Sequence, residues 1–317
     1  MRSRTPKYDG FLALNKPAGM TSHDVVDRVR RITGQQAVGH TGTLDPFAEG
    51  LLLMLLGRTT KFARFLTAHD KTYEAVVTLG VTSSTYDPEG IDPSAVPRPV
   101  PQTDKDGWDE LLERFRGTII QKVPAYSAVQ VEGERLYAKS RRGEEVEQLP
   151  EREVEIFNLD LLDTGLNTLK LRVHCSKGTY IRTLANDIGE AAGCGAYLSE
   201  LRRTAIGRLR LESAVTLEQL AGLEDENKFE EALLSIDDVI NFGSLLVADE
   251  FSRRVLDGVT PRSGDVAGCE GEFAPGDTIL VRDRSRSVLA IATACVASQN
   301  MMKAAEGRLL NYERVLH

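Results

Sequence analysis

The sequence predicts an α+β fold, a mixed sheet flanked by helices and followed by a small β-rich domain. Strand-like and helix-like segments alternate without the regular repeat of a parallel α/β barrel. The segment "REVEIFNLDLLDTG" turns into "TLKLRVHCS", strand into strand with no helix between them. Late in the chain, "FAPGDTILVRDRSRSVLAIATACV" alternates like a hairpin, which sets residues 246–317 apart as a small β domain behind a larger one at 1–245. A chain of 317 residues, 41% hydrophobic and 27% charged, has room for both.

In order, "FLALN" at 11–15 reads as a buried strand, and "KPAGMTS" punctuates its end with proline and glycine. A helix follows, capped by Thr21 or Ser22, with Val25, Val26, Val29 and Ile32 at helical spacing and Gly34 at its C-terminal cap. "LLLMLL" at 51–56 is short enough for a buried strand. "RTTKFARFLTAH" puts Phe62, Phe65 and Leu66 on one helical face, and "TYEAVVTLGVTS" is the next strand. Five prolines between 87 and 107 mark a loop or insertion outside the core. Then come helix-like "DGWDELLERFRGTI", the two strands quoted above, and "GTYIRTLANDIGEAAGCG", in which Ile181, Leu184, Ala185 and Ile188 share a helical face and Gly193 lies near the end. The acidic stretch that follows reads as helical.

No apolar run approaches the roughly 20 residues of a bilayer span. The N-terminus lacks the apolar stretch and cleavage site of a signal peptide, so a cytoplasmic protein is expected. Cys175, Cys194, Cys269 and Cys295 form no C-x-x-C pair and the histidines are scattered; the thiols read as buried and inert, with no zinc or disulfide framework. The net charge of -8 argues against a nucleic-acid partner until its distribution is seen. Residues 211–250 hold eleven acids against one base, Lys228, which leaves +2 for the rest of the chain; residues 171–210 hold seven Lys/Arg against three acids. That local excess suits either an RNA-facing surface or an ordinary solvated face.

The stretch "GHTGTLDPFAEG" at 39–50 sets glycines, a histidine and an Asp-Pro step ahead of the apolar run. No Gly-Lys-Ser/Thr closes a P-loop, and neither a G-x-S-x-G elbow nor a G-x-G-x-x-G fingerprint occurs. Asp45 is therefore either a turn former, the common role of Asp before Pro, or a carboxylate that the turn presents for chemistry. Arg182, two residues after Tyr180 near a helix start, suits phosphate binding or the aiming of a carboxylate through paired hydrogen bonds.

Five blocks, "LNKPAGMTSHDVV", "GHTGTLDPFAEGLL", "KTYEAVVTLG", "PAYSAVQVEGERLY" and "CSKGTYIRTLANDIGEAAGCGAYLSELRRTAIG", occur in order at suitable spacings. Together they closely resemble the TruB family, the bacterial tRNA pseudouridine synthases, over roughly residues 9–210. The C-terminal part more weakly resembles that family's PUA-like RNA-binding domain. The resemblance implies the pseudouridine synthase fold, with a mixed, mainly antiparallel sheet, and isomerisation of uridine 55 in the tRNA T loop without metal or organic cofactor. By matching motifs, Asp45 of "GTLDP" would be the nucleophile, and Tyr73 of "KTYEA" would stack on the target base and assist proton removal. Arg182 of "GTYIRTL" would be the ion-pair partner of the nucleophile, with Tyr180 in the same pocket. Lys16 of "NKPAG" would support the site, Leu201 of "LRRT" would line it, and His40 of "GHTG" would help extrude the nucleotide.

The implied partner is the T arm and elbow of tRNA, met by a monomer away from any membrane. Its phosphates would be held by "LRRTAIGRLR", Lys61, Arg64 and the "KSRR" run at 139–142. The chain departs from the family pattern at Gln130, usually lysine, at Val123, usually proline, and at Tyr197, usually histidine. A neutral amide at 130 cannot make a lysine's ionic phosphate contact.

Pseudouridine formation breaks the N1 glycosidic bond, turns the uracil and rejoins it at C5, which calls for an anionic nucleophile. Attack at C1', removal of a ribose proton toward a glycal, and addition to C6 all remain open. A base stacked in a folded loop must first be flipped out at a few kcal/mol, and aromatic stacking of about 1–3 kcal/mol offsets much of that. The alternative to an enzyme is a tRNA-binding or folding-assistance protein that needs no turnover. A glycosidase-like hydrolase, which would release free uracil, is a third. Asp45, Tyr73 and Arg182 together favour the enzyme.

Overall fold

The computed structural model describes residues 6–127, 130–131, 134–135, 142, 149–303 and 307–316. The described chain forms two compact units, one of Phe11–Leu55 with Ala63–Leu233, the other of residues 6–10, Leu56–Phe62 and the chain from Leu234 onward.

The larger unit is built on a sheet of β1 (Gly10–Lys16), β2 (Val38–Thr41), β3 (Glu49–Leu56), β4 (Lys71–Leu79) and β5 (Gly117–Lys122), with four later strands. Between them, β6 (Gln130–Val131) and β7 (Glu134–Arg135) make a separate two-stranded pair. The sheet then takes in β8 (Glu151–Thr164), β9 (Thr168–Cys175), β10 (Ala196–Ile206) and β11 (Leu209–Arg210). Its order is β1-β3-β10-β4-β9-β8-β5, with β2 on β3 and β11 on β10. β10 runs parallel to β3, while the pairs β10/β4, β4/β9, β9/β8 and β8/β5 are antiparallel, so the mixed, mainly antiparallel sheet is present as expected.

The alternation along β4 buries Lys71, Tyr73, Ala75, Val77 and Leu79 on one face. Helix Lys105–Leu112 packs into that core through Trp108 and Leu112, and helix Ile181–Ala191 through Ile181, Leu184, Ala185 and Ile188. Each such apolar side chain contributes about 1.5–3 kcal/mol when fully buried. β3 is buried along nearly its whole length, which explains the unbroken run "LLLMLL". Helix Ser22–Thr33 begins at Thr21, which closes a capping box with Asp24, and ends at Gly34 in the left-handed region.

Three elements differ from the sequence reading: the helix-like "DGWDELLERFRGTI" is α-helical only to Leu112, and its last residues already belong to β5. Residues 57–66 form a short 3-10 stretch, Gly57–Phe62, and a single helical turn, Ala63–Leu66, in place of one amphipathic helix. Thr59 and Thr60 donate their hydroxyls to Leu56 and Gly57 carbonyls three residues back, tightening the backbone there. β10 was not foreseen as a strand, because bulges at Leu198/Glu200 and Arg203/Ala205 break its period-two pattern. The acidic stretch holds two short helices, Leu217–Asp225 and Ile236–Val239, with a 3-10 turn at Phe229–Ala232.

In the smaller unit, β12 (Ser244–Val247), β13 (Val266–Glu270), β14 (Thr278–Arg282), β15 (Val288–Ala294) and β16 (Leu310–Val315) form a sheet in the order β13-β12-β14-β15-β16. The expected hairpin is β14/β15, and β12 runs across the 245/246 junction. This sheet has its own core, including Phe251, Phe273, Ile279 and Val281. All four cysteines are free; Cys175 and Cys194 are buried as expected, whereas Cys269 and Cys295 are only half-buried in the thin smaller unit. Among the described residues no helix is long and apolar enough to cross a membrane.

Candidate active site

The loop carrying Asp45 is fixed from several directions. Gly42 turns it with φ +69°, a region that disfavours a side chain. Ser22, the first residue of its helix, donates its hydroxyl to the Leu44 carbonyl at 3.2 Å and accepts the Leu44 N–H at 2.9 Å. Ala48 N–H donates to the Asp45 carbonyl, and Gly19 N–H to the Pro46 carbonyl at 2.8 Å. Lys16, fully buried at the end of β1, donates to the carbonyls of Met20 (2.6 Å), Pro17 (2.9 Å) and Pro46 (3.4 Å). Burial brings the Lys16 ammonium down to about 8, opposed chiefly by the charge of Asp45. Asp45 thus sits in a turn that also aims its carboxylate, and about a third of its side chain, 34%, stays exposed.

Arg182 reaches that carboxylate from the first turn of helix Ile181–Ala191. Nη2 donates to Asp45 Oδ1 at 3.2 Å; Nε lies 2.9 Å from Oδ2, but its N–H is not well directed at any acceptor. The guanidinium has a second acid. Nη1 donates to Asp87 Oδ2 and to the Thr85 carbonyl, both at 3.1 Å, and Nη2 also donates to the Tyr126 carbonyl at 2.8 Å. Asp87 is itself pinned, accepting the Thr85 hydroxyl at 2.5 Å and the Glu89 N–H at 3.0 Å. Tyr180 caps the helix approach by exchanging backbone hydrogen bonds with the buried Gln121 amide, and Arg152 lies over its ring.

Desolvation pushes the Asp45 carboxyl above its ordinary value; Arg182 opposes this, and the negative charge of Asp87 adds to it. Tyr73 is buried, which raises its phenol, while Arg203 beside it acts in the opposite direction. Burial lowers Lys71 to about 8, helped by Arg203, and its ammonium donates to the carbonyls of Thr67 (2.9 Å) and His69.

A cavity of about 570 Å³ opens here, and Asp45, Tyr73, Tyr180, Arg182 and Leu201 all line it. Lys16 lies behind the loop and His40 on β2, neither in the lining; His40 Nδ1 is buried without a partner and desolvation lowers that imidazole. The sequence reading missed Asp87, placed in a proline-rich loop taken to lie outside the core, although Asp87-Pro88 repeats the Asp-Pro step of Asp45-Pro46. It also missed Lys71, Arg203 and Ser127, which line the cavity, the last with its hydroxyl buried and unpartnered.

The expected basic surface needs one correction. Arg203 is 1% exposed and belongs to the interior, since on β10 it shares a face with buried Leu201. Arg64, Arg202, Arg208 and Arg210 are exposed, Lys61 is partly so, and Arg202 lies 3.4 Å from Glu49. Of the "KSRR" run only Arg142 is described, and it is exposed; the Gln130 side chain likewise lies outside what is described.

The arrangement suits nucleophilic chemistry at a carboxylate, with the aromatic side chain of Tyr73 lining the same cavity. Residues 30–181 match the profile described as TruB family pseudouridylate synthase (N terminal domain), and residues 182–241 match that of the tRNA pseudouridylate synthase B C-terminal domain. The tRNA pseudouridine synthase B of Syntrophus aciditrophicus is 40% identical over 92% of this chain and 93% of its own. That of Cupriavidus pinatubonensis is 49% identical over 70% of this chain and 71% of its own. Among solved structures, a Cbf5-Nop10-Gar1 complex contains a chain with a TM-score of 0.76 and 26% identity, covering 97% of this chain and 85% of that one. The chain belongs to the TruB family of tRNA pseudouridine synthases.

Proposed function

We propose that the chain converts uridine 55 in the T loop of tRNA to pseudouridine, with Asp45 as the nucleophile. The observation that carries this reading is the Asp45 carboxylate, partly open to the cavity and ion-paired through a buried guanidinium. Arg182 keeps the carboxylate ionised and aimed, and Asp87 holds Arg182 from behind. Tyr73 stacks on the flipped uracil and assists loss of the C5 proton, while Tyr180 and Leu201 bound the pocket. Lys16 stiffens the nucleophile loop, and His40 takes part in drawing the nucleotide out of its stack. The N1 glycosidic bond breaks, the uracil turns and rejoins the sugar through C5, the C5 proton leaves and N1 takes one up, so no atom is gained or lost. The chain acts as a monomer, with phosphate contacts from its exposed arginines and the smaller β unit as a further RNA-binding surface.

Unmodified tRNA transcripts incubated with the protein, treated with a carbodiimide that marks pseudouridine and read by primer extension, are expected to stop at the T-loop uridine. Stops elsewhere, or none, would contradict the assignment.

A further inference from the structure

The Asp45 loop and Tyr73 reach the cavity from different strands, and one buried side chain touches both supports. Arg203 lies on β10 between β3 and β4, opposite Gly50 in the parallel register and opposite Tyr73 in the antiparallel one. Directly opposed residues share a face, with Cβ atoms about 4.5–5.5 Å apart. β3 approaches so closely that a Cβ on Gly50 would fall 2.4 Å from the Arg203 carbonyl oxygen. From this fixed backbone Arg203 Nε donates to the Leu51 carbonyl at 2.7 Å and Nη2 to the Gly42 carbonyl at 2.9 Å. Tyr73, directly opposite on β4, lies close enough for the guanidinium charge to act on its phenol.

Among the described residues the hydrogen-bond partners of Arg203 are two carbonyls, with the Tyr73 phenol nearby and no carboxylate. The cation neighbours two other bases, Lys71 and His40. Burying a guanidinium without an acid is costly, and a methionine of similar length would fill the space without that penalty. What the guanidinium fork does is tie β3 to the turn at Gly42 from a strand position directly opposite Tyr73.

We infer that Arg203 is a positioning residue for the isomerisation, fixing the Tyr73 hydroxyl relative to the loop that carries Asp45. The inference rests on the roles proposed above for Asp45 and Tyr73.

Full-length R203K, Y73F and the double variant test it, each assayed at saturating and limiting tRNA beside its thermal melt and tRNA affinity. R203K keeps the charge and loses the fork; it is expected to melt near the wild type and to lower kcat about 10- to 100-fold with KM within about threefold, the pattern of lost transition-state geometry. In the Y73F background the same change is expected to lower the remaining rate by less than about threefold, because its partner is gone. Fully multiplicative losses, or an R203K protein that unfolds, would overturn the inference. A Y73F enzyme with near wild-type turnover would remove the proposed role of Tyr73, and this inference with it.

Discussion

Two buried guanidiniums line the cavity, and they are held in different ways. Arg182 faces two carboxylates, whereas Arg203 faces carbonyls and a phenol. Where an acid answers the cation, charge is the product: the guanidinium works against the desolvation that pushes the Asp45 carboxyl up. Where only dipoles answer it, the cation acts as a brace between strands. The proposed isomerisation needs both, because a nucleophile of the right charge in the wrong place gains little.

Removing Arg182 attacks the charged wall and has the largest effect. R182A leaves Asp45 and Asp87 facing each other with no cation between them, and breaking a buried pair of this kind costs about 3–5 kcal/mol. Turnover is expected to fall about 10²- to 10⁴-fold by the same measure. The sign of the pH effect follows from the requirement for an ionised Asp45, since activity is lost as pH falls through its pKa. Arg182 holds that pKa down against desolvation, so R182A moves the acid limb of the kcat profile to higher pH. A profile that stays in place would remove the ion pair from the account.

D87N is the finer cut through the same wall. Asparagine retains an oxygen for the Thr85 hydroxyl and the Glu89 N–H but removes the second negative charge. The charge of Asp87 acts to raise Asp45, so its removal shifts the acid limb to lower pH, opposite to R182A. A looser Arg182 lowers kcat, by about tenfold on the scale of one charge-assisted hydrogen bond. Shifts of the same sign in both variants would show that Asp87 is not coupled to the nucleophile through charge.

The charged wall was largely legible in the sequence and the brace was not. Asp45 and Arg182 stand in motifs whose residue types already suggest a carboxylate and its partner, and the family resemblance assigned them. Asp87 was hidden because proline-rich loops usually lie outside cores; this one folds its aspartate inward, 5% exposed, behind Arg182. Arg203 was hidden by composition: among neighbouring arginines it read as surface charge, since the bulged β10 does not alternate cleanly. The strands β1, β3, β4, β8 and β9 were readable because period-two patterns or short apolar runs survive in them. Contacts that join distant strands, such as Arg203 with Gly42 and Leu51, leave no local signal at all.

The proposed activity depends on Asp45, and the most direct measurement is tritium release from a T-arm RNA carrying C5-labelled uridine, under single-turnover conditions with D45N beside the wild type. The neutral amide preserves size and much of the hydrogen bonding to Arg182 but provides no nucleophile. D45N is expected to bind the RNA and release no tritium above background, while the wild type releases it to completion. Release by D45N at the wild-type rate would contradict the account.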